Sequence, residues 1–176
     1  MYRSITEPLD VARHDRDSFE SGVKAVDDFF KKTANKLTRA ANLRTFVLAD
    51  EHGKVFAFYA LNAASIDCQD LPARFKRTRP VHGKIPATFI AMIGVDHKAQ
   101  GKGLGRDLLV DSLWRIAEAE KSIGIALTLL DVLDCGDPVQ VERRKSFYVR
   151  HGFAPLQDQP LRLYLPTATL RELVDP

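Results

Sequence analysis

A glycine-rich hexapeptide, Gln100-Gly101-Lys102-Gly103-Leu104-Gly105, joins an apolar run at residues 89–95 to an amphipathic pattern that begins at residue 104. The apolar run predicts a strand, and the amphipathic pattern predicts a helix. A glycine turn at this junction leaves backbone N–H groups exposed at the positive end of the helix dipole. The sequence therefore predicts a turn that holds a phosphate group.

The spacing of these glycines argues against two common phosphate-binding loops. A dinucleotide-binding turn needs G-x-G-x-x-G near the first strand, whereas here G-x-G-x-G follows a predicted hairpin. A Walker A loop needs G-x-x-x-x-G-K-[ST], which the sequence lacks. The pattern that fits is Gln/Arg-x-x-Gly-x-Gly/Ala, through Gln100, Gly103 and Gly105. A glycine turn without a ligand stays an open alternative.

Length and composition predict one globular domain over residues 1–176, with 45% hydrophobic residues and a net charge of +3. No apolar run is long enough to cross a bilayer, and residues 1–9 lack the apolar core of a signal peptide. Cys68 and Cys135 are isolated, so we expect a cytoplasmic protein without a disulfide framework. The histidines are scattered, which predicts no metal site.

The pattern along the chain predicts an α/β fold of the α+β kind, with a mixed sheet flanked by helices in a single domain. We expect strands at 2–8, 45–49, 55–61, 89–96, 125–130 and 161–165, and helices at 24–41, from 104, and at 139–151. Residues 65–87, rich in proline, read as a long connection with one short helix near 71–77. In the helix from 104, we expect four charged residues to face solvent: Asp107, Asp111, Arg115 and Glu118.

Two motifs together resemble those of the GNAT N-acetyltransferases. The glycine turn has their pyrophosphate-binding signature, and Phe147-Tyr148 with Gly152-Phe153 resembles their C-terminal Tyr-x-x-x-Gly-Phe segment. The order strand, glycine turn, helix, strand, helix over 89–151 is also similar. The resemblance implies a mostly antiparallel central sheet and acetyl-CoA as the acetyl donor.

The same resemblance implies a role for several residues. The backbone of Ile93, Gly94 and Val95 would pair with the pantetheine arm, and Tyr148 would protonate the leaving thiolate. A phenol with a pKa of about 10 is protonated at neutral pH. We leave the general base unassigned. The pyrophosphate would lie on the glycine turn and the start of its helix: Gln100, Gly101, Lys102, Gly103, Leu104, Gly105 and Arg106.

A narrower resemblance is to the acetyltransferase toxins of toxin–antitoxin pairs. It is carried by Phe19-Glu20-Ser21-Gly22, Val26-Asp27-Asp28-Phe29-Phe30 and residues 161–166. It implies acetylation of the amino group of aminoacyl-tRNA, a ribbon-helix-helix antitoxin as partner, and a homodimer. The chain departs from the family in two places, since Ser21 replaces a frequent cysteine and Val141 a frequent asparagine.

Three segments, at 31–44, 71–86 and 97–106, carry basic residues and no acidic ones. They suit an RNA backbone if the fold gathers them, or they are separate solvated faces. Two alternatives to the toxin therefore stay open: acetylation of a small amine or protein amino group, and a module that binds CoA or a partner without turnover. The candidate tRNA contacts are Lys32, Lys36, Arg39, Arg74, Lys76, Arg77 and Arg79.

Overall fold

The computed structural model describes residues 3–174, which form seven strands and six α-helices. The strands are β1 (Glu7–Pro8), β2 (Arg44–Ala49), β3 (Val55–Asp67), β4 (Lys84–Val95), β5 (Leu127–Asp131), β6 (Ala154–Pro155) and β7 (Arg162–Pro166). The α-helices are α1 (Lys24–Asp28), α2 (Ala34–Arg39), α3 (Ala73–Lys76), α4 (Leu104–Glu120), α5 (Pro138–Arg150) and α6 (Thr167–Val174). In this part of the chain, no helix combines the length and the apolar character that a membrane crossing requires.

The described chain divides into two compact units, of which the first comprises the residues up to Asn62 and Ile90–Ile116. Its strand order is β1-β2-β3-β4, and β2 pairs antiparallel with both β1 and β3. The predicted hairpin turn at 50–54 is present. The Asp50 carboxylate accepts hydrogen bonds from the amides of His52 (3.0 Å) and Lys54 (2.9 Å), which fixes the turn.

The helix predicted at 24–41 forms with an interruption. A π-helical turn, Phe29–Thr33, joins α1 to α2. Arg16 donates hydrogen bonds to the carbonyls of Phe30 (3.4 Å) and Lys31 (3.1 Å) in this turn. The same turn directs Phe30 onto Phe58, with ring centroids 4.2 Å apart, and both side chains are fully buried. The interruption therefore places an aromatic ring in the core of the first unit.

The second unit comprises Ala63–Phe89 and the residues from Ala117 onward. Its strand order is β3-β4-β5-β7-β6, and β7 pairs antiparallel with β5 and with β6. The first four residues of β5 are all buried, and its neighbours are β4 and β7. This confirms the strand predicted at 125–130, and its uniformly apolar sequence suits a position inside the sheet.

The connection predicted at 65–87 is shorter than expected, because β3 runs to Asp67 and β4 begins at Lys84. The amide of Cys68 donates to the carbonyl of Gly83 (2.9 Å) and closes the base of this connection. Pro86 lies inside β4, and a proline there argues against a strand when only the sequence is read.

The predicted short helix is present as α3, while β6 and α6 were not predicted. The first predicted strand reduces to Glu7–Pro8, and Tyr2 lies outside the described residues.

These elements confirm the predicted fold class, a mostly antiparallel sheet with helices around it. The strands β3 and β4 contribute residues to both units. That residues 1–176 form a single domain stays a prediction.

Candidate functional site

The glycine turn lies between β4 and α4 in the first unit, as predicted. Gly101 and Gly103 have φ angles of +77° and +82°, a left-handed conformation that residues with a Cβ rarely adopt. Gly105 differs, because it lies in the first turn of α4 and does not have a positive φ angle. A Cβ built at Gly105 would meet no atom within 4 Å. Nothing in the described fold requires glycine at 105. A bare backbone there leaves room for a ligand at the helix N-terminus.

The first amides of α4 are the donors that such a ligand would use, since they have no partner within the helix. The amides of Arg106 (3.0 Å) and Asp107 (3.2 Å) already donate to the carbonyl of Gly103. The group that Arg106 can offer to a ligand is therefore its exposed guanidinium, because its amide is already occupied. Lys102 is exposed as well. The turn combines backbone donors with two cations, a set suited to a diphosphate.

The side chain of Gln100 holds the turn in place. Its Nε2 donates to the carbonyls of Ser21 (2.8 Å) and Val95 (3.0 Å). Asp96, which is 5% exposed, accepts from the amides of Glu20 (3.1 Å) and Lys98 (2.9 Å). These bonds join the end of β4 to residues 20–21, so Gln100 and Asp96 have a positioning role in this structure.

Gly94 is required by packing. A Cβ at this position would lie 2.5 Å from Phe58 and 2.6 Å from Val26. Gly94 lies inside β4, one residue before the strand ends at Val95. On either side of it, Ile93 and Val95 pack on the cluster that contains Tyr59 and Leu108. The strand end predicted to hold the pantetheine arm is therefore fixed by its neighbours.

A buried polar network anchors α4, and the sequence analysis missed it. Asp111 is 1% exposed rather than facing solvent, and it accepts hydrogen bonds from Thr6 Oγ1 (2.5 Å), Tyr59 (2.7 Å) and the Ile5 amide (2.9 Å). Burial alone would raise the pKa of Asp111, but these hydrogen bonds hold it below the ordinary value. Arg115, also expected in solvent, donates to Tyr59 (2.9 Å) and lies 3.9 Å from the ring centre of Phe46.

Tyr148 lies near the C-terminal end of α5 in the second unit. Its ring packs edge-on against Phe147 (5.2 Å) and Phe153 (6.0 Å). Burial raises the pKa of Tyr148 to about 12, and the positive charge of Arg144 acts in the opposite direction. No hydrogen-bond partner of its hydroxyl is found among residues 3–174. The phenol is therefore protonated at neutral pH and free to donate.

The C-terminal end of α5 is closed by residues of the predicted Tyr-x-x-x-Gly-Phe segment. The amides of His151 (2.9 Å) and Phe153 (3.2 Å) donate to the carbonyl of Tyr148. Gly152 has a φ angle of +92°, so it terminates the helix as predicted. The His151 ring interacts with the carbonyl of Phe147 at 2.7 Å, which places a further polar group at this helix end.

The candidate RNA contacts fall into two groups. In the first unit, Lys36 and Arg39 are exposed on α2, whereas Lys32 is held by Asp28 at 2.6 Å. Hydrogen bonds from Lys24 and Lys32 lower the pKa of Asp28 to about 2, so this carboxylate is charged and offsets the charge of Lys32. The others lie in or just after α3 in the second unit: Arg74, Lys76, Arg77 and Arg79.

The cations around α3 have local partners. Arg74 lies over the ring of Phe75 at 5.2 Å, and Arg79 donates to the carbonyl of Lys76 (2.8 Å). Lys76 reaches the side-chain oxygen of Gln69 at 3.4 Å. Over residues 3–174, no group of three or more His, Cys, Asp or Glu side chains could hold a metal ion.

Comparison with known proteins identifies the family. The model of the acetyltransferase (GNAT) domain matches residues 41–155. A probable toxin TacT from Sinorhizobium fredii is 54% identical over 98% of this chain and 96% of its own length. A tRNA-acetylating toxin from Mycobacterium tuberculosis is 33% identical over 98% of this chain and 95% of its own length.

Solved structures show the same fold. A crystal structure of a tyrosine-to-phenylalanine mutant of KacT has a TM-score of 0.83 at 23% identity, and covers 96% of this chain and 97% of its own. AtaT complexed with acetyl-methionyl-tRNAfMet has a TM-score of 0.82 at 23% identity, with the same coverage of each chain. The predicted resemblance to the acetyltransferase toxins is confirmed. The chain belongs to the GNAT acetyltransferase family.

Proposed function

We propose that this protein transfers the acetyl group of acetyl-CoA to the amino group of an aminoacyl-tRNA, and that it acts as a translation-blocking toxin. The observation that carries the proposal is the 33% identity, over 98% of this chain, to a protein described as a tRNA-acetylating toxin. The 54% identity to a probable toxin supports it independently. AtaT, with the same fold, is described in complex with an acetylated aminoacyl-tRNA.

The donor would bind along the end of β4 and the glycine turn. The first amides of α4 would bind the diphosphate of acetyl-CoA, and Lys102 and Arg106 would balance its charge. The backbone of residues 93–95 would pair with the amides of the pantetheine arm. A backbone N–H of this segment would also polarise the thioester carbonyl and stabilise the oxyanion that forms on it.

The transfer needs one bond to form and one to break. The neutral amine of the aminoacyl group attacks the thioester carbon, and the C–N bond forms. The tetrahedral intermediate then releases the sulfur as a thiolate, which takes the proton of the Tyr148 hydroxyl. The nitrogen loses a proton to water or to a base that we leave unassigned, and this proton restores the phenol. Acetyl-aminoacyl-tRNA and free CoA are the products.

Two separate groups of exposed cations are the candidate contacts to the acceptor. Lys36 and Arg39 are exposed on α2, and Arg74 and Arg77 are exposed in and after α3. Exposed lysine and arginine side chains bind the phosphates of RNA without reading its sequence. We propose that these cations bind the tRNA backbone. Lys32, Lys76 and Arg79 would contribute less, because each already donates a hydrogen bond within the chain.

The proposal extends to partners and location. The toxin would be neutralised by an antitoxin of the ribbon-helix-helix type, would form a homodimer, and would act in the cytoplasm, where charged tRNA is found. A structure of a mutant AtaT toxin is described as bound to the C-terminus of the antitoxin AtaR and to acetyl-CoA, and a crystal structure is described as a KacTA-DNA complex, both with the fold of this chain. We also propose that residues 1–176 act as one domain.

The test is to incubate the purified protein with acetyl-labelled CoA and bulk charged tRNA, and then to identify the labelled species. We expect label on the amino group of the aminoacyl moiety, none on uncharged tRNA, and a large loss of kcat in Tyr148→Phe. Label on polyamines or protein amino groups instead of tRNA would favour the small-amine or protein acetyltransferase. No transfer to any amine would favour a module that only binds.

A further inference from the structure

Arg144 stands out among the cations of α5 because the fold holds its guanidinium in place. Its Nη1 donates to the carbonyl of Leu133 (3.3 Å) and to the Sγ of Cys135 (3.0 Å). Both acceptors lie in the segment between β5 and α5. The adjacent Arg143, by contrast, is exposed. The sequence analysis gave Arg144 no role.

The position of Arg144 on the helix relates it to Tyr148. The two residues are four positions apart on α5, so their side chains are neighbours on one helix face. Arg144 is half-buried, and so is Tyr148. A charge in a partly desolvated place acts more strongly on its neighbour than one in open water.

The thiol of Cys135 is the second acceptor of the Arg144 guanidinium. The hydrogen bond from Arg144, with one from the backbone of Asp137, lowers the pKa of the exposed Cys135 thiol. The ionisation of this thiol therefore reports whether the guanidinium is in place.

The proposed reaction creates a charge that a cation at this place would stabilise. When Tyr148 gives its proton to the thiolate, its oxygen becomes a phenolate. Burial opposes this step, since it raises the pKa of Tyr148 to about 12, whereas an ordinary thiol has a pKa of about 8.5. Arg144 is the charged residue that acts against burial on this phenol.

We infer that Arg144 is a positioning residue of the transfer reaction, which acts through Tyr148. Held by Leu133 and Cys135, its guanidinium stabilises the negative charge that develops on the Tyr148 oxygen as the thiolate is protonated. The inference rests on the proposed function. It adds an electrostatic residue to the acetyl transfer.

The test compares Arg144→Gln, Arg144→Lys and the control Arg143→Gln in the transfer assay with charged tRNA. We expect Arg144→Gln to lower kcat about 10- to 100-fold with the KM for acetyl-CoA within about twofold, as for loss of one electrostatic contact to the transition state. Arg144→Lys keeps the charge and should recover most of kcat. Arg143→Gln should keep the wild-type kcat.

A double-mutant cycle separates this role from a structural one. In a Tyr148→Phe background, Arg144→Gln should change the residual rate by no more than about twofold, because the group through which it acts is gone. If residual transfer in Tyr148→Phe is too low to measure, Arg144→Lys decides the question. Recovery supports the inference, and equal loss in both Arg144 variants, with a lowered melting temperature, overturns it.

Further outcomes distinguish failure of this inference from failure of the proposed function. A wild type that acetylates charged tRNA, with full kcat in Arg144→Gln, overturns the inference alone. A wild type that transfers nothing overturns both. Alkylation of Cys135 by iodoacetamide reports the anchor without any activity, since Cys68 is buried. It should slow in Arg144→Gln, and an unchanged rate would contradict the anchored guanidinium.

Discussion

The hydroxyl of Tyr59 on β3 donates a 2.7 Å hydrogen bond to Oδ2 of Asp111 on α4, whose side chain is fully buried. Thr6 and the Ile5 amide donate to the same carboxylate. Together these bonds connect the chain before β1, the strand β3 and the helix that begins at the glycine turn. A buried carboxylate with several donors is stable only while all of them are in place.

Asp111→Ala should destabilise the protein strongly. The change leaves the hydroxyls of Thr6 and Tyr59 without their acceptor and removes the carboxylate beside Arg115, so we expect a loss of about 2–4 kcal/mol in unfolding free energy. Asp107→Asn, in an exposed position on the same helix, should change it by less than about 0.5 kcal/mol. Urea unfolding measures both. Equal effects would contradict the buried network.

The same carboxylate gives the stability a pH dependence. The pKa of Asp111 is lower in the folded chain than the ordinary value of about 3.9. Its contribution is therefore complete only above about pH 5, where the carboxyl is ionised in the unfolded chain as well, and it is lost as the pH falls through the folded-state pKa. Unfolding free energy measured between pH 7 and pH 3 should fall less steeply in Asp111→Ala than in the wild type. Parallel curves would contradict this assignment.

Gly94→Ala should destabilise the first unit. The added methyl group would lie 2.5 Å from the Phe58 ring and 2.6 Å from Val26, so the packing must shift, at about 1–3 kcal/mol. Gly124→Ala is the matched control, since a Cβ there meets no atom within 4 Å. Thermal unfolding of the two variants should differ clearly. A Gly94 variant as stable as the Gly124 variant would show that β4 tolerates a side chain there.

The fold was largely predictable where local patterns are strong. The run at 125–130 is uniformly apolar, and it forms the buried strand β5. The connection before β4 was drawn too long because Pro86 suggested a break, although it lies within the strand. A two-residue strand such as β6 offers too few residues for any periodicity.

The candidate site was predictable only where backbone conformation depends on residue type. Gly101 and Gly103 have the left-handed φ angles that a glycine turn suggests. Burial of Asp111 could not be foreseen, because its donors Thr6 and Tyr59 are more than 50 residues away in sequence. A helical pattern places a charged residue off the apolar stripe but does not show a buried polar partner. The helical pattern of α5 also does not show what holds Arg144, because its two hydrogen-bond acceptors, Leu133 and Cys135, lie before the helix begins.

Gly105→Ala should separate stability from donor binding. The added methyl group meets no protein atom within 4 Å, and alanine is the better helix former, so stability should hold or rise by up to about 1 kcal/mol. The same methyl group lies where the diphosphate would approach the first turn of α4. We therefore expect the Kd for acetyl-CoA, measured by calorimetry, to rise about tenfold or more.

A matched variant controls for backbone strain in the turn. Gly101→Ala places a side chain at a φ angle of +77°, and should cost about 1–2 kcal/mol of unfolding free energy. A change in the Kd of the Gly101→Ala variant for acetyl-CoA therefore includes the effect of a strained turn, whereas a change in the Kd of Gly105→Ala does not. An unchanged Kd in Gly105→Ala would show that the diphosphate does not bind at this end of the helix.

Lys36 and Arg39 should contribute to tRNA binding more than Lys32 does. Both are exposed on α2, whereas Lys32 is paired with Asp28 at 2.6 Å. If Lys36 and Arg39 each contact one phosphate, the double variant Lys36→Gln/Arg39→Gln should raise the KM for charged tRNA and lower the slope of log KM against log salt by about 2. Lys32→Gln should change that slope by less than about 1, because Asp28 already offsets its charge. The measurement is the KM for charged tRNA between 50 and 200 mM salt. Identical slopes in the wild type and the double variant would show that α2 does not contact the RNA.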